Sequence, residues 1–373
     1  MADQDELVPP SGYYRTFDEW AETSALEGAP SYIETLRLGR PVEFRTPIGL
    51  ENPPHWAFRN LSSARIRERN GTVAFMPGGT VCGTECDIIT PDNKLIGDYS
   101  LEWKKHPTQR TIWKRSSLPP QQICPYPVAV LALKDSNIYY HWMMDVLPML
   151  HLLKQSGIKP HTFVINGKGA APFQIRTLEM LGISRERIIP SHDALHIRSR
   201  LLVVPRCVGK YRSRWSIDFL RRELMDAHGI EPSAEKERIY ISRAKAKKRK
   251  LLNEEDVMRV LGNHGFRKVH LEEMTLPEQI RLFASAEAVA GPHGAGFTNT
   301  VFCNPGTRVI EMFSPLLVHT CYPMLSGLLG LQHYYVVGTG MRPPEYKDTH
   351  DRYADITVNI NQLKHILYIA GFR

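Results

Sequence analysis

The chain has 373 residues, 42% hydrophobic and 23% charged, enough for about two domains at the usual ~100–200 residues each; a disordered tail and a disulfide-held miniprotein are excluded. Its 47 Lys and Arg outnumber 39 Asp and Glu, and the net charge of +8 points to an anionic partner: nucleic acid, a membrane surface or a phosphorylated small molecule. Six cysteines are too sparse for a disulfide scaffold and fit a reducing cytosol; Cys82 and Cys86 lack a second Cys/His pair at zinc-site spacing, so no metal is expected.

The first ten residues are acidic and no apolar run follows them, so neither a secretory signal nor a transit peptide is visible. No stretch approaches the ~20 apolar residues of a spanning helix. The expectation is a cytoplasmic protein, at most docked peripherally on the inner membrane.

Residues 1–125 are irregular and rich in Pro and Gly, with short β-like runs such as Gly71-Thr-Val-Ala-Phe75. From Val128 the texture changes. Residues 128–133 form an apolar run of strand length, 134–137 a turn-and-cap cluster, and 140–155 a helical pattern with Trp142, Val146, Met149, Leu150 and Leu153 at spacings of three and four. Strands at 161–165, 187–189 and 201–204 and helices at 171–181 and 215–228 continue the alternation. A polar, proline-bearing stretch at 231–236 reads as a linker. Beyond it a second series follows: strands at 238–242, 268–271, 286–290, 307–312 and 333–337, helices at 254–261 and 276–284, a short helix from Phe297 and a terminal helix at 361–370.

Alternating strands and helices indicate parallel sheets covered on both faces. The expected class is therefore α/β: an amino-terminal domain at 1–230 (irregular β segment to 125, α/β from 126) and a carboxyl-terminal α/β domain at 231–373, the last helix being a candidate to pack back on the first domain. Ligands of such sheets bind outside the carboxyl ends of strands.

Three segments at such ends carry chemistry. In Val289-Ala-Gly-Pro-His-Gly-Ala-Gly-Phe-Thr-Asn-Thr300, a strand enters a turn with Gly291, Gly294, Ala295 and Gly296 and leaves as a helix whose first turn carries Thr298 and Asn299. Glycines admit a ligand close to the backbone, and helix-start N–H groups favour an anion such as phosphate, to which His293 could donate. The plainer alternative is a glycine connection made for tight packing. The segment Ile241-Ser-Arg-Ala-Lys-Ala-Lys-Lys-Arg-Lys250 places Arg243 and Arg249 where guanidinium forks could grip a diphosphate; a solvated basic surface is the alternative. In Asn137-Ile-Tyr-Tyr-His-Trp-Met-Met-Asp145, His141 and Asp145 are one helical turn apart and suit general-base work, or a purely structural pair, with Pro148 implying a kink beyond them. Glu311, ending a buried strand, could accept from a ribose diol, cap the next helix or sit in solvent.

These blocks resemble glycosyltransferase family 61. The likeness runs from about Val128 to Met312 and rests on Asn137-x-Tyr-Tyr140-His141-x-x-x-Asp145, Ile241-Ser-Arg243 with Arg249 and Asn253-Glu254, and Gly291-x-His293-Gly294-Ala295-Gly296-x-Thr298-Asn299. The resemblance implies two Rossmann-like domains facing a cleft (GT-B type) and metal-independent, inverting transfer from a nucleotide-diphosphate sugar, with UDP the expected nucleotide. It implies that Arg243, Arg249, Asn253, residues 293–296, Thr298, Asn299 and Glu311 hold the donor. His141 and Asp145 would supply the base, and Asn137, Tyr140 and Trp142 would lie on the acceptor side. Without a visible anchor, the chain looks like a bacterial enzyme of surface or capsular polysaccharide synthesis, with a glycan or lipid-linked acceptor whose phosphate Lys245, Lys247, Lys248 and Lys250 could contact. A non-catalytic nucleotide or polyanion binder on the same fold is the alternative. Nucleic acid, suggested by Lys210, Arg212, Arg214, Arg221 and Arg222, is not expected as a partner, because the aromatics lie in apolar runs.

Overall fold

Continuous apolar runs bounded by turn residues become the buried strands of one mixed and one wholly parallel sheet, so the expected parallel pairing holds throughout only in the second. The computed structural model describes residues 8–26, 32–36, 41–42, 44–61, 66–67, 70–102, 105–167, 170–208, 213–347 and 351–372; Lys210 and Arg212 fall outside them. The chain divides into two units, Met1–Leu38 with Arg69–Lys210, and Gly39–Glu68 with Tyr211–Arg373.

The first unit is built on a ten-stranded mixed sheet. His196–Val208 is its pivot. On one side it pairs antiparallel with Asn70–Pro77 and Thr80–Cys82; on the other it pairs parallel with Gln122–Leu131, which continues in parallel to Thr162–Ile165 and Ile188–Pro190. The irregular β segment thus joins the α/β half through one long strand. Val128 and Val130 enter the core with Val164, Leu202 and Val204, while residues 122–126 of the same strand stay largely outside it. Gly71 leaves room for the side chain of Leu152, which its own Cβ would strike, so the helix Pro148–Gln155 lies close on the sheet.

The second unit carries a five-stranded, wholly parallel sheet in the order Arg267–Val269, Glu237–Ile241, Ala286–Pro292, Arg308–Phe313, Gln332–Val337. Near-continuous burial along the inner strands matches a sheet covered on both faces. The terminal helix Ile360–Ile369 buries Leu363, Ile366 and Leu367 in this unit's core with Tyr240, Val257 and Ile310. Part of residues 39–68 lines the sheet edge: Ile48 bonds His333 and Tyr335 through its backbone, and Phe58 stacks edge-on against Tyr335 at 4.8 Å. Arg221 in the helix Arg214–Leu224 donates to the carbonyls of Val301 and Cys303, and Arg214 to that of Leu328, so these basic residues secure the helix.

No helix among the described residues is long and apolar enough to cross a membrane. Cys82 and Cys86 are buried, and burial pushes both thiols up to about 12, so both are protonated thiols at neutral pH.

Candidate functional site

The strand order of the second unit reverses at Glu237–Ile241, flanked by Arg267–Val269 on one side and Ala286–Pro292 on the other. The loops leaving the carboxyl ends of Ile241 and Pro292 start at this switch point, the usual ligand position in open parallel sheets. Arg243 and His293 stand at the starts of those two loops.

Arg243 turns back on its own loop. Its Nε donates to the Arg249 carbonyl at 3.2 Å and its Nη2 to that of Lys248 at 2.8 Å, while its guanidinium fills the space that a Cβ on Gly294 would need. Burial, then the neighbouring Arg249, lowers its pKa from the ordinary arginine value. Arg249 is held in the left-handed region at φ 55°, with its N–H bonded to the Tyr353 carbonyl, and its Nε is buried with no hydrogen-bond partner. Neither guanidinium forms an ion pair among the described residues. Two adjacent cations with carboxylates nearby but none in ion-pair contact are suited to an anion.

The glycine turn has mixed causes. Cβ atoms on Gly291 and Gly296 would meet Ile241, so these two glycines serve strand and helix packing, whereas Gly294 makes room for Arg243. The helical stretch after the turn is a 3-10 helix, Ala295–Phe302. Thr298 is 0% exposed and its Oγ1 has no partner, an orphaned hydroxyl beside the turn. Asn299 is committed elsewhere, donating to Gln279 at 2.7 Å, and the Asn253 amide makes both its bonds to the backbone of Val358.

His293 Nδ1 lies 2.5 Å from Glu311 Oε1, and Glu311 Oε2 lies 3.1 Å from His333 Nε2. Both oxygens of Glu311 are thus occupied by imidazoles. Burial holds the Glu311 carboxyl well above the usual range against the opposing charge of Arg249, and holds His293 well below the usual imidazole range, helped by Arg249, His319 and Arg243. The His293 ring also lies 5.5 Å from that of Tyr322 and 5.3 Å from that of Phe313.

In the first unit the sequence around His141 breaks regular helix geometry. Tyr139–His141 is α-helical, Trp142–Val146 is a π-helical turn, and Pro148 opens the helix Pro148–Gln155. Proline has no N–H for the carbonyl four residues back and its ring crowds that carbonyl, so the preceding turn widens. Leu147 N–H bonds Trp142 O across five residues. The π turn buries Asp145 to 3% exposure, with its Oδ2 2.8 Å from His141 Nδ1, while the His141 side chain remains 35% exposed. A buried carboxylate orienting a more open imidazole is the arrangement of a general base. Asn137 is exposed and Tyr140 half-buried with its ring edge-on to His141; Trp142 is fully buried, donating to Thr177 at 2.8 Å.

Residues 139–310 match the family model described as Glycosyltransferase 61. The chain carries a glycosyltransferase 61 domain. It is also 31% identical over 94 residues to beta-1,2-xylosyltransferase RCN11 of Oryza sativa subsp. japonica, a stretch that covers 25% of this chain and 16% of the rice protein. The glycosyltransferase 61 match includes His141, Asp145, Arg243, Arg249 and His293 and stops one residue before Glu311.

Sequence reasoning missed His333, Ser326 and Tyr322. Ser326 and Tyr322 lie in Cys321–Leu329, a helix apolar nearly all round and interrupted by Pro323 and Gly327, with no period to reveal it. His333 left one trace, a titratable ring at the head of the run Tyr334-Tyr-Val-Val337.

Proposed function

We propose that the chain is an inverting, two-domain (GT-B type) glycosyltransferase moving a sugar from a nucleoside-diphosphate sugar to a hydroxyl of a glycan or lipid-linked acceptor. One observation carries this reading: two neighbouring guanidinium groups, neither in an ion pair among the described residues, act electrostatically on His293 at the switch point of a parallel sheet. In the proposed reaction His141 Nε2 takes the acceptor proton, with Asp145 holding the ring. The acceptor oxygen forms its bond to the anomeric carbon from the face opposite the diphosphate. The old carbon–oxygen bond breaks with its electron pair going to the nucleoside diphosphate, whose charge Arg243, Arg249 and His293 receive. These side chains take the role a divalent cation could otherwise have, so no metal is required.

UDP is the proposed nucleotide, and the name of the rice relative makes a pentose such as xylose the first sugar to test. Exposed Lys247 and Lys250, with Lys248 over the Tyr353 ring, offer positive charge to the phosphate of a lipid-linked acceptor at a cytoplasmic membrane face, as in bacterial surface or capsular polysaccharide synthesis. The test is turnover of UDP-xylose and other UDP-sugars in excess EDTA. Turnover should persist there, vanish in Arg243→Ala and fall roughly 100-fold or more in His141→Gln, the scale of a general base. Turnover that needs added metal, or that survives both substitutions, contradicts the reading.

A further inference from the structure

Behind the glycine turn, four side chains from two strands, one helix and the turn itself form a single buried chain. Ser326 Oγ lies 2.8 Å from His333 Nδ1, His333 Nε2 lies 3.1 Å from Glu311 Oε2, and Glu311 Oε1 lies 2.5 Å from His293 Nδ1. Ser326, His333 and Glu311 are 1%, 6% and 0% exposed. His293, at 7%, is the most open member, and its Nε2 has no hydrogen bond among the described residues. A buried polar network costs stability unless its buried members are satisfied; here the inner members pair with one another, and the end without a bond among the described residues is His293 Nε2.

Resting on the diphosphate reading above, we propose that Ser326, His333 and Glu311 are positioning residues that keep one proton shared between Glu311 and His293, so that His293 Nε2 presents an N–H to a phosphoryl oxygen. Proton counting carries the inference. When His333 donates from Nε2 to Oε2 and accepts from Ser326 at Nδ1, any proton on Glu311 is confined to Oε1, facing His293. That proton lies either on Oε1 beside a bare Nδ1 or on Nδ1 beside a carboxylate. In both arrangements Nε2 keeps its hydrogen and the pair is neutral. Once the proton is lost, Nδ1 must donate to the carboxylate, and Nε2 turns a lone pair toward the anion.

Burial favours the neutral pair, because it raises the Glu311 carboxyl and holds His333 uncharged, down to about 3. The charged and titratable groups facing His293 are Arg243 and Arg249 from the loop after Glu237–Ile241, His319 and Tyr322 from the segment leading into and through Cys321–Leu329, and Glu311 and His333 from the strands. The Arg249 charge opposes the rise of the Glu311 carboxyl and so favours loss of the shared proton as pH climbs.

The experiment is calorimetric titration with inorganic pyrophosphate in EDTA, from about pH 6 to about pH 9, on the full chain and on Glu311→Gln. The glutamine amide donates to Nδ1 as the protonated carboxyl does, but has no proton to lose. The ratio of wild-type to Glu311→Gln dissociation constants, in which pyrophosphate's own ionisation cancels, should rise about tenfold or more across that range, as loss of one linked proton requires. A constant ratio overturns the relay and leaves the diphosphate reading standing; no pyrophosphate binding to wild type at any pH overturns both. Should Glu311→Gln not fold, 15N spectra of histidine-labelled wild type decide. Nε2 of His293, identified by loss of its signal in His293→Gln, should be protonated at about pH 6, and a bare nitrogen there overturns the proposal.

Discussion

A buried hydroxyl with no partner costs the folded state about 1–3 kcal/mol, and Thr298 Oγ1 is such a group. Thr298→Val keeps the shape and removes the hydroxyl. It should raise the free energy of unfolding by about 1 kcal/mol in urea titrations and, under the proposed donor site, weaken pyrophosphate binding. Loss of stability together with unchanged binding would show the hydroxyl to be structural. Asp87 gives a separate test in the first unit. Burial pushes its carboxyl up to about 6 against 3.8 for a free side chain, with Ser100 donating to it at 2.6 Å. A raised carboxyl stabilises the fold below the unfolded value and loses that contribution as pH climbs through the folded one. Wild type should therefore lose up to about 3 kcal/mol relative to Asp87→Asn between about pH 4 and about pH 7. Parallel urea curves at the two pH values check this, and an equal difference at both would refute it.

At the scale of elements, the strand–turn–helix around His293 separates packing from binding. A Cβ on Gly296 comes within 3.0 Å of Leu271 Cδ1 and 3.1 Å of Ile241 Cγ2, whereas one on Gly294 strikes the Arg243 guanidinium. Gly296→Ala should cost about 1–3 kcal/mol of stability, the range for overpacking, and Gly294→Ala should displace Arg243 and weaken nucleotide binding more than it lowers the melting temperature. Thermal melts and nucleotide titrations of the two variants distinguish these outcomes. The elements around this turn were legible because their signals are local: the helix Leu276–Ala284 follows the expected bounds, and Ala286–Pro292 and Gln332–Val337 are apolar runs. Phe17–Leu26 was not, since ten residues of mixed polarity give too little period, and the π turn at Trp142–Val146 hides inside a pattern that reads as continuous helix. The pairing of Arg243 with Gly294 was legible only as two motifs after two strands. That the strands are neighbours is set by sheet order, which no local pattern encodes.

Over the whole molecule, sequence order and spatial grouping part company: residues 39–68 group with 211–373, held by backbone bonds of Ile48 and by Phe58, and nothing in their composition announces that long-range pairing. What composition did announce was the charge of +8, and the proposed site gives a share of it a task, because Arg243 and Arg249 lie close enough for one to lower the other's pKa and an anion would relieve that repulsion. Arg243 also braces its loop, so Arg249→Ala is the cleaner probe of that anion. The deciding measurement is calorimetric titration of UDP into wild type and Arg249→Ala in EDTA. A single site in wild type, weakened roughly 10- to 100-fold in the variant as loss of a charge-assisted hydrogen bond requires, is the predicted result; equal affinity in both proteins, or no binding to wild type, would contradict the account.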